Sequence, residues 1–570
     1  MLCYTSRKGE IMKLSKALAA TLALMFTLTA CSTAQTELNQ NQTLPKDEKT
    51  VVDVVEITLS DDEIKVDGVL AESDAKNDVY VKNDIIYYES GKDFTYGEGT
   101  EEDAHSAEDA AEHTVVHITQ PGAYSISGSL SKGQIAVDLG DEAEDDPEAV
   151  VTLILNGTDI TCEVAPAIIF YNVYECGSAD ADNAVKDVDT SSAGANVIIA
   201  DGTTNTINGS YVARIYKPDS IVLNEAGTEV EDAKKLHKYD AAFYSRMSMN
   251  VNGEGENSGV LTIHADNEGL DSELHLTING GVIHINSGND GINTNEDGVS
   301  VTTINGGELD IQVTGETGEG DGIDSNGWLV INGGTVVAQA CSFSGDAGID
   351  SDMGIHINGG TVIASGNMLD RISESNQTYA VLNFNKFLGA GTYSVKNSDN
   401  AVVLEQEIEN SFTSLIISSA DLVEGDYTLW YNDNQLAGVM SENRGMFGGG
   451  MRPDMGEMPE GMAPPEMLDS ERPEMPEGFD PEKMKPDMEG MTPPAGFNGK
   501  KMDFERNEDG TITLPDGTVV DPSKFEDKGH EGRGPDGDFG GHMPNEAIEL
   551  SGIFTIKAGA NYFNFISIKE

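Results

Sequence analysis

Basic residues are scarce in this 570-residue chain: 34 Lys and Arg stand against 99 Asp and Glu, a formal net charge of −65. That excludes nucleic acid as a partner, because phosphate backbones need a basic surface. Cysteine is scarce too, at five residues. No Cys-x-x-Cys occurs, and the spacing of Cys162, Cys176 and Cys341 matches no zinc site. Cys162 and Cys176 are candidates to pair in an oxidising compartment, and at least one of the three is expected to be a small buried hydrophobe. His-Glu-x-x-His, Walker and Gly-x-Ser-x-Gly signatures are all missing. Helical periodicity is almost absent after Thr114, and no apolar run is long enough to span a bilayer.

The start of the chain reads as an address. Met12 to Lys16 is a basic n-region, and Ala17 to Leu28 a short apolar h-region. Leu28-Thr29-Ala30-Cys31 follows and resembles the lipobox of bacterial lipoprotein signals, in which the cysteine is lipidated. The expectation is a membrane-anchored lipoprotein on the extracytoplasmic face, held through Cys31, with residues 1–31 as signal and 32–50 as polar tether.

Beyond the tether, residues 51–113 mix short strand patterns with an acidic loop. Residues 114–375 then repeat a strand-turn-strand pattern. Ile-Asn-Gly-Gly begins at Ile278, Ile304, Ile331 and Ile357, in steps of 26, 27 and 26 residues. A second element recurs as EGLD at Glu268, DGIN at Asp290, DGID at Asp321 and AGID at Ala347. Short period-two strands in a repeat of this length predict an all-β chain built as a right-handed parallel β-helix. Leu270, Ile292, Ile323 and Ile349 would form its inner column. Two polar acidic loops, about 176–195 and 217–239, interrupt the pattern as surface excursions. Residues 376–440 read as a small β appendage, and 441–546 as a disordered Met/Pro/Gly-rich insertion with one hairpin signal, GTITLPDGTVV. Residues 547–570 return to strands expected to rejoin the appendage.

Alternation gives the acids a role. With Ile323 pointing inward, Asp324 points outward, and so do Asp271, Asn293 and Asp350. Rungs about 4.8 Å apart stack these oxygens into one column, which is costly unless a cation sits in it. Calcium suits hard oxygen ligands in flexible coordination. Asp290, Asp297, Asp321, Asp346 and Asp352 flank the column at corners. Asn293, Asn295 and Asp297 imitate the front half of a calcium loop, but Ile304 stands at the twelfth position, so there is no EF-hand.

Taken as an ordered set, GAYSISGSLSKGQIAVD, LILNGTDIT, GTTNTI, DAAFYSRMSMNVNGEG, NDGINTN and GDGIDSNGWLVINGGTVVA resemble the bacterial carbohydrate-binding domain family of clostridial-type secreted proteins. The resemblance covers roughly residues 113–431 and the terminal strands. It implies a right-handed parallel β-helix that binds plant cell-wall polysaccharide, cellulose and polygalacturonate in particular, with bound calcium. It also implies likeness to pectate lyases in fold without established catalysis.

The residues favour the acidic glycan. Between Gly255 and Gly366 the only aromatics are Trp328 and Phe343, so no flat aromatic strip exists there for crystalline cellulose. Trp328 is the candidate for stacking on a sugar ring. The rival reading is a pectate-lyase-like enzyme, with Arg214, Arg246 or Arg371 as base. None of these lies in the acidic repeats, and each is expected in a structural ion pair. A structural or adhesive surface repeat is the third reading.

Overall fold

The computed structural model describes residues 53–436 and 438, three strand pairs at 505–506, 512–513 and 519–520, and residues 552–565. Cys31, the expected signal and tether, and most of the Met/Pro-rich stretch lie outside the described residues. The fold is all-β with large sheets. The one α-helix among the described residues is the short Ala107–Ala111.

Parallel pairing between successive repeats organises residues 114–375 into three ladders. The first stacks Thr114–Ile118, Gly133–Asp138, Ile168–Asn172, Ala241–Ser245, Glu268–Ser272 and Ile292–Thr294. Single bridges from Ile292 to Ile323 and from Ile323 to Ile349 carry it onward. The second runs through Ala195–Ile199, Met249–Gly253, His275–Ile278, Val301–Ile304, Trp328–Ile331 and Gly354–Ile357. The third runs through Thr204–Gly209, Val260–Ala265, Val282–Ser287, Glu308–Val313, Thr335–Gln339 and Thr361–Gly366. Val54–Leu59 pairs in parallel with Gly122–Leu130, so stacking begins ahead of Thr114.

Like residues stack on like because the register follows the repeat. Ile278, Ile304, Ile331 and Ile357 align, as do Ile283, Leu309, Val336 and Val362, and all eight are fully buried. Each such side chain contributes about 1.5–3 kcal/mol relative to exposure. The column Leu270, Ile292, Ile323, Ile349 is fully buried, as its spacing predicts.

Both repeated motifs have a local cause. The Asn of Ile-Asn-Gly-Gly forms an amide ladder along one corner. Asn279 donates to Asn252, Asn305 to Asn279, Asn332 to Asn305, Asn358 to Asn332 and Asn376 to Asn358, at 2.9–3.0 Å. The second glycine turns the chain at φ between 82° and 95° at Gly281, Gly307, Gly334 and Gly360, a region side chains avoid. In the other motif, a Cβ at Gly291 would stand 2.1 Å from Ile311 Cγ2 and 2.6 Å from the Gly322 carbonyl. Asn305→Ala removes one ladder bond on each side. We expect it to lower stability by about 1–2 kcal/mol in urea unfolding; an unchanged midpoint would mean that water replaces the ladder at no loss.

The C-terminal part has its own core. Phe412–Ser418 pairs antiparallel with Thr361–Gly366 and with Tyr379–Leu388, and Ala560–Phe565 joins Tyr379–Leu388 in parallel. Gly391–Asn397, Val402–Ile408, Gly425–Tyr431 and Ile553–Ile556 form a further antiparallel sheet. Within the insertion, Ile512 and Thr513 pair with Val520 and Val519, the hairpin that GTITLPDGTVV signals, and Glu505–Arg506 adds a third strand. The three described cysteines are free: Cys162 and Cys341 are buried, and the Cys162–Cys176 pair does not form.

Candidate cation and glycan site

The residues following the inner column share the outward side of the first ladder. Asp271 aligns with Asn293. The backbone N–H of Asp324 donates to Ile292 O and that of Asp350 to Ile323 O, both at 2.8 Å, which continues the column. The structure corrects one part of the expectation: this column is not uniformly open to solvent. Asp271 is fully buried and Asn293 nearly so, whereas Asp324 and Asp350 are half-buried. The reason is lateral packing. Both Asp271 oxygens accept from Asn295 Nδ2 at 2.9 Å, and Glu268 of the same strand and Asp240 of the preceding rung close in.

Two carboxylate clusters result. In the first, Asp240, Glu268 and Asp271 each bring an oxygen within 4.8 Å of the other two, all three buried. In the second, Asp321, Asp324 and Asp350 do the same, half-buried. At this spacing each ionised pair repels by about 3 kcal/mol at an effective dielectric of about 20. Burial, then the neighbouring carboxylates, hold Asp271, Glu268 and Asp321 well above the ordinary range. The same causes push Asp324 up to about 6 and Asp350 to about 7. Lys238 Nζ lies 2.6 Å from Asp240 and relieves part of the first cluster.

Hydrogen bonding leaves oxygens over. Asn293 Nδ2 donates to Glu268 Oε1 at 3.2 Å, yet Glu268 Oε2 and Asn293 Oδ1 are buried without a partner among the described residues. An orphaned buried oxygen is expensive unless protonated, hydrated or bound to a cation. Carboxylate and amide oxygens without nitrogen or sulfur are a hard donor set, which fits calcium.

The other expected ligands divide. Asp290 Oδ1 accepts from Asp321 N at 2.6 Å, Asp321 Oδ1 from Ala347 N at 2.5 Å and Asp346 Oδ2 from Gly320 N at 2.6 Å, so these three staple rungs together. Only Asp321 among them also joins a cluster. Asp297 is exposed, accepts from Asn326 Nδ2 at 3.1 Å and lies in neither cluster. Asp352 is exposed; its charge acts on Asp324 and Asp350 from the side. Trp328 heads a strand of the second ladder, half-buried. Asp240 and Glu268 were not singled out from sequence. Glu268 opens the EGLD element, but Asp240 precedes its strand outside any repeat.

Among the arginines, Arg214 pairs with Glu98 at 2.9 Å as expected. Arg246 departs from expectation. Its Nη1 donates to Tyr171 O at 3.4 Å and Asn172 Oδ1 at 3.1 Å, and it has no carboxylate partner among the described residues. Of the repeat histidines, His275 is buried and its Nδ1 accepts from Val301 N at 3.1 Å, a structural role, and burial pulls it down to about 4.

Residues 112–425 match the family model described as carbohydrate-binding domain-containing protein. A curated relative with that description, from Acetivibrio thermocellus, is 30% identical over 172 residues, covering 30% of this chain and 44% of the relative. The chain thus spans less than half of that relative's length. Among solved structures, one described as the polysaccharide lyase-like protein from C. thermocellum, as a gadolinium derivative, aligns with a TM-score of 0.32 and 20% identity over 57% of this chain and 93% of that one. Matched by the family model over more than half its length, the chain belongs to the carbohydrate-binding domain-containing protein family.

Proposed function

We propose that this protein is a cell-surface lipoprotein that binds acidic plant cell-wall polysaccharide, polygalacturonate (pectin) foremost and cellulose as the neutral counterpart, with the help of Ca2+. In this reading the three parallel ladders are faces of a right-handed parallel β-helix, and lipid on Cys31 anchors it to the membrane on the extracytoplasmic side. Nucleic acid has no place in it, since a charge of −65 repels phosphate.

The observation that carries the reading is the meeting of Asp321, Asp324 and Asp350 on a half-open face. These three would hold one cation, and Asp240, Glu268 and Asp271, with Asn293 Oδ1, a buried second. When bound, calcium supplies the positive charge through which protein carboxylates and uronate carboxylates share one partner. The chain's own part is to position oxygens: Asn295 fixes Asp271, while Asp290 and Asp346 lock adjacent rungs by their backbone bonds. The buried cluster stiffens the ladder, and the half-open one faces the glycan. Binding without turnover is favoured by the family description, which names binding alone.

The test is retention on a polygalacturonate gel in calcium and again in chelator, with the eluate assayed for unsaturated uronide. We expect retention in calcium, loss in chelator and no product. Retention indifferent to calcium would contradict the cation's role, no retention in either buffer would contradict the glycan, and product would establish the lyase instead.

A further inference from the structure

A cavity of about 440 Å³ opens on the first ladder, beside the buried carboxylate cluster. That volume lies within the usual range of small-ligand sites, about 300–1,000 Å³. Its floor is the outward side of four stacked strands, from Thr114–Ile118 to Ala241–Ser245. Its wall is Lys235–Tyr239, the strand that returns from the 217–239 loop and pairs antiparallel with Val212–Tyr216. This loop therefore does more than leave the ladder: it comes back to roof a hollow.

The lining differs from the rest of the chain in charge. Lys235, Lys238 and Arg246 balance Asp84, Asp138 and Glu273, and His117 and His237 add two titratable rings. All three acids are engaged. Asp84 meets Lys82 at 2.7 Å and His117 at 2.8 Å, Glu273 meets Lys235 at 2.8 Å and the Tyr244 hydroxyl, and Asp138 accepts from Asn172 Nδ2 at 2.8 Å. Lys238 turns to Asp240. Arg246 is left: exposed, bonded to two neutral oxygens through Nη1, with the rest of its guanidinium fork uncommitted among the described residues. Such a fork matches a carboxylate bidentately.

The apolar part of the lining joins Ile86, Val115, Ala136 and Leu236 to three tyrosines. Tyr239 packs edge-on against Tyr171 and Tyr244, with ring centroids 5.5 and 5.3 Å apart, and its hydroxyl lies 2.7 Å from His237 Nδ1. The cluster holds rings rigid beside the arginine. Tyr239 and Tyr244 are buried and Tyr171 is half-buried, so the rings back the wall and offer no stacking face. A hollow of small-ligand size beside a fork open to a carboxylate fits an acidic sugar unit.

We infer that this cavity is a second, cation-independent ligand site, in which Arg246 takes the carboxylate of an acidic sugar unit and the hollow walled by Lys235–Tyr239 takes its ring. The inference rests on the proposed acidic-glycan reading and adds a site that borders the first carboxylate cluster through Lys238 but takes its ligand on Arg246, without a cation. It is tested by titrating trigalacturonate into the full chain in excess chelator, followed by calorimetry, with neutral cellotriose as control. We expect saturable binding of trigalacturonate and none of cellotriose. Arg246→Gln should weaken it by about tenfold or more, the loss of a charge-assisted contact, and Arg246→Lys should restore part of it. Arg246 is exposed, so neither variant should disturb folding, which circular dichroism checks. Absent binding, equal binding of cellotriose, or an unaffected Arg246→Gln would each overturn the site. Calcium-dependent gel retention in the same protein would survive any of these results, so failure of the cavity and failure of the glycan reading are distinguishable.

Discussion

Replacing Asp321 and Asp350 together by Asn should abolish calcium-dependent retention on polygalacturonate while making the chelator-treated protein more stable than wild type. The two signs come from one cause. Asp321, Asp324 and Asp350 lie within mutual reach, and without a cation their ionised forms repel. Asparagine keeps the shape and one oxygen. After Asp321→Asn the side-chain amide oxygen can still accept from Ala347 N, so the rung staple survives. What is lost is charge. Calcium affinity should fall by about 100-fold or more, because two of three charged ligands are gone. Thermal melts of both proteins in calcium and in chelator check this. A variant less stable than wild type in both buffers would show that these carboxylates serve packing or hydrogen bonding and not a cation.

The second large effect is on pH dependence. Asp350 is pushed up to about 7 and Asp324 to about 6, against an ordinary value near 4, by burial and by neighbouring carboxylates. Between the unfolded and folded values the folded protein binds more protons than the unfolded chain. Stability must therefore fall as pH rises through that window. Glu268, Asp271 and Asp321, raised further, act in the same direction. In chelator the melting temperature should decline steadily from about pH 5 to about pH 8, the reverse of a protein stabilised by paired carboxylates. In saturating calcium the decline should flatten or invert, since the ion competes with protons for the same oxygens. Identical pH profiles with and without calcium would mean that the ion does not reach these groups.

Much of this arrangement is legible in the sequence, and what is not has a physical reason. Ile278, Ile304, Ile331 and Ile357 announce their own stacking, because a strand repeat that keeps its register must place like residues over like. Ile323 and Asp324 announce inside and outside by alternation alone. The Asn of the repeat reads only as a corner; that it forms an amide ladder depends on how each side chain turns at that corner, which the sequence does not display. Asp240 is missed because lateral neighbours on a ladder are about 25 or more residues apart and Asp240 belongs to no repeat. Asp297 and Asp352 fit the pattern but stand outside both clusters, because their corners point to solvent. Arg246 reads as one more surface ion pair until the 217–239 loop, whose return path no periodicity encodes, roofs the hollow beside it.

Calcium binding itself is the most direct test. Chelator-stripped full chain should be titrated with calcium by isothermal calorimetry at fixed ionic strength, beside the protein carrying Asp321→Asn and Asp350→Asn. Saturable binding to wild type, with proton release near about pH 6.5 and with the half-open site lost in the variant, is the expected result. Absence of saturable heat in wild type, or isotherms that the two substitutions leave unchanged, would contradict the claim that the acidic ladder is a cation site.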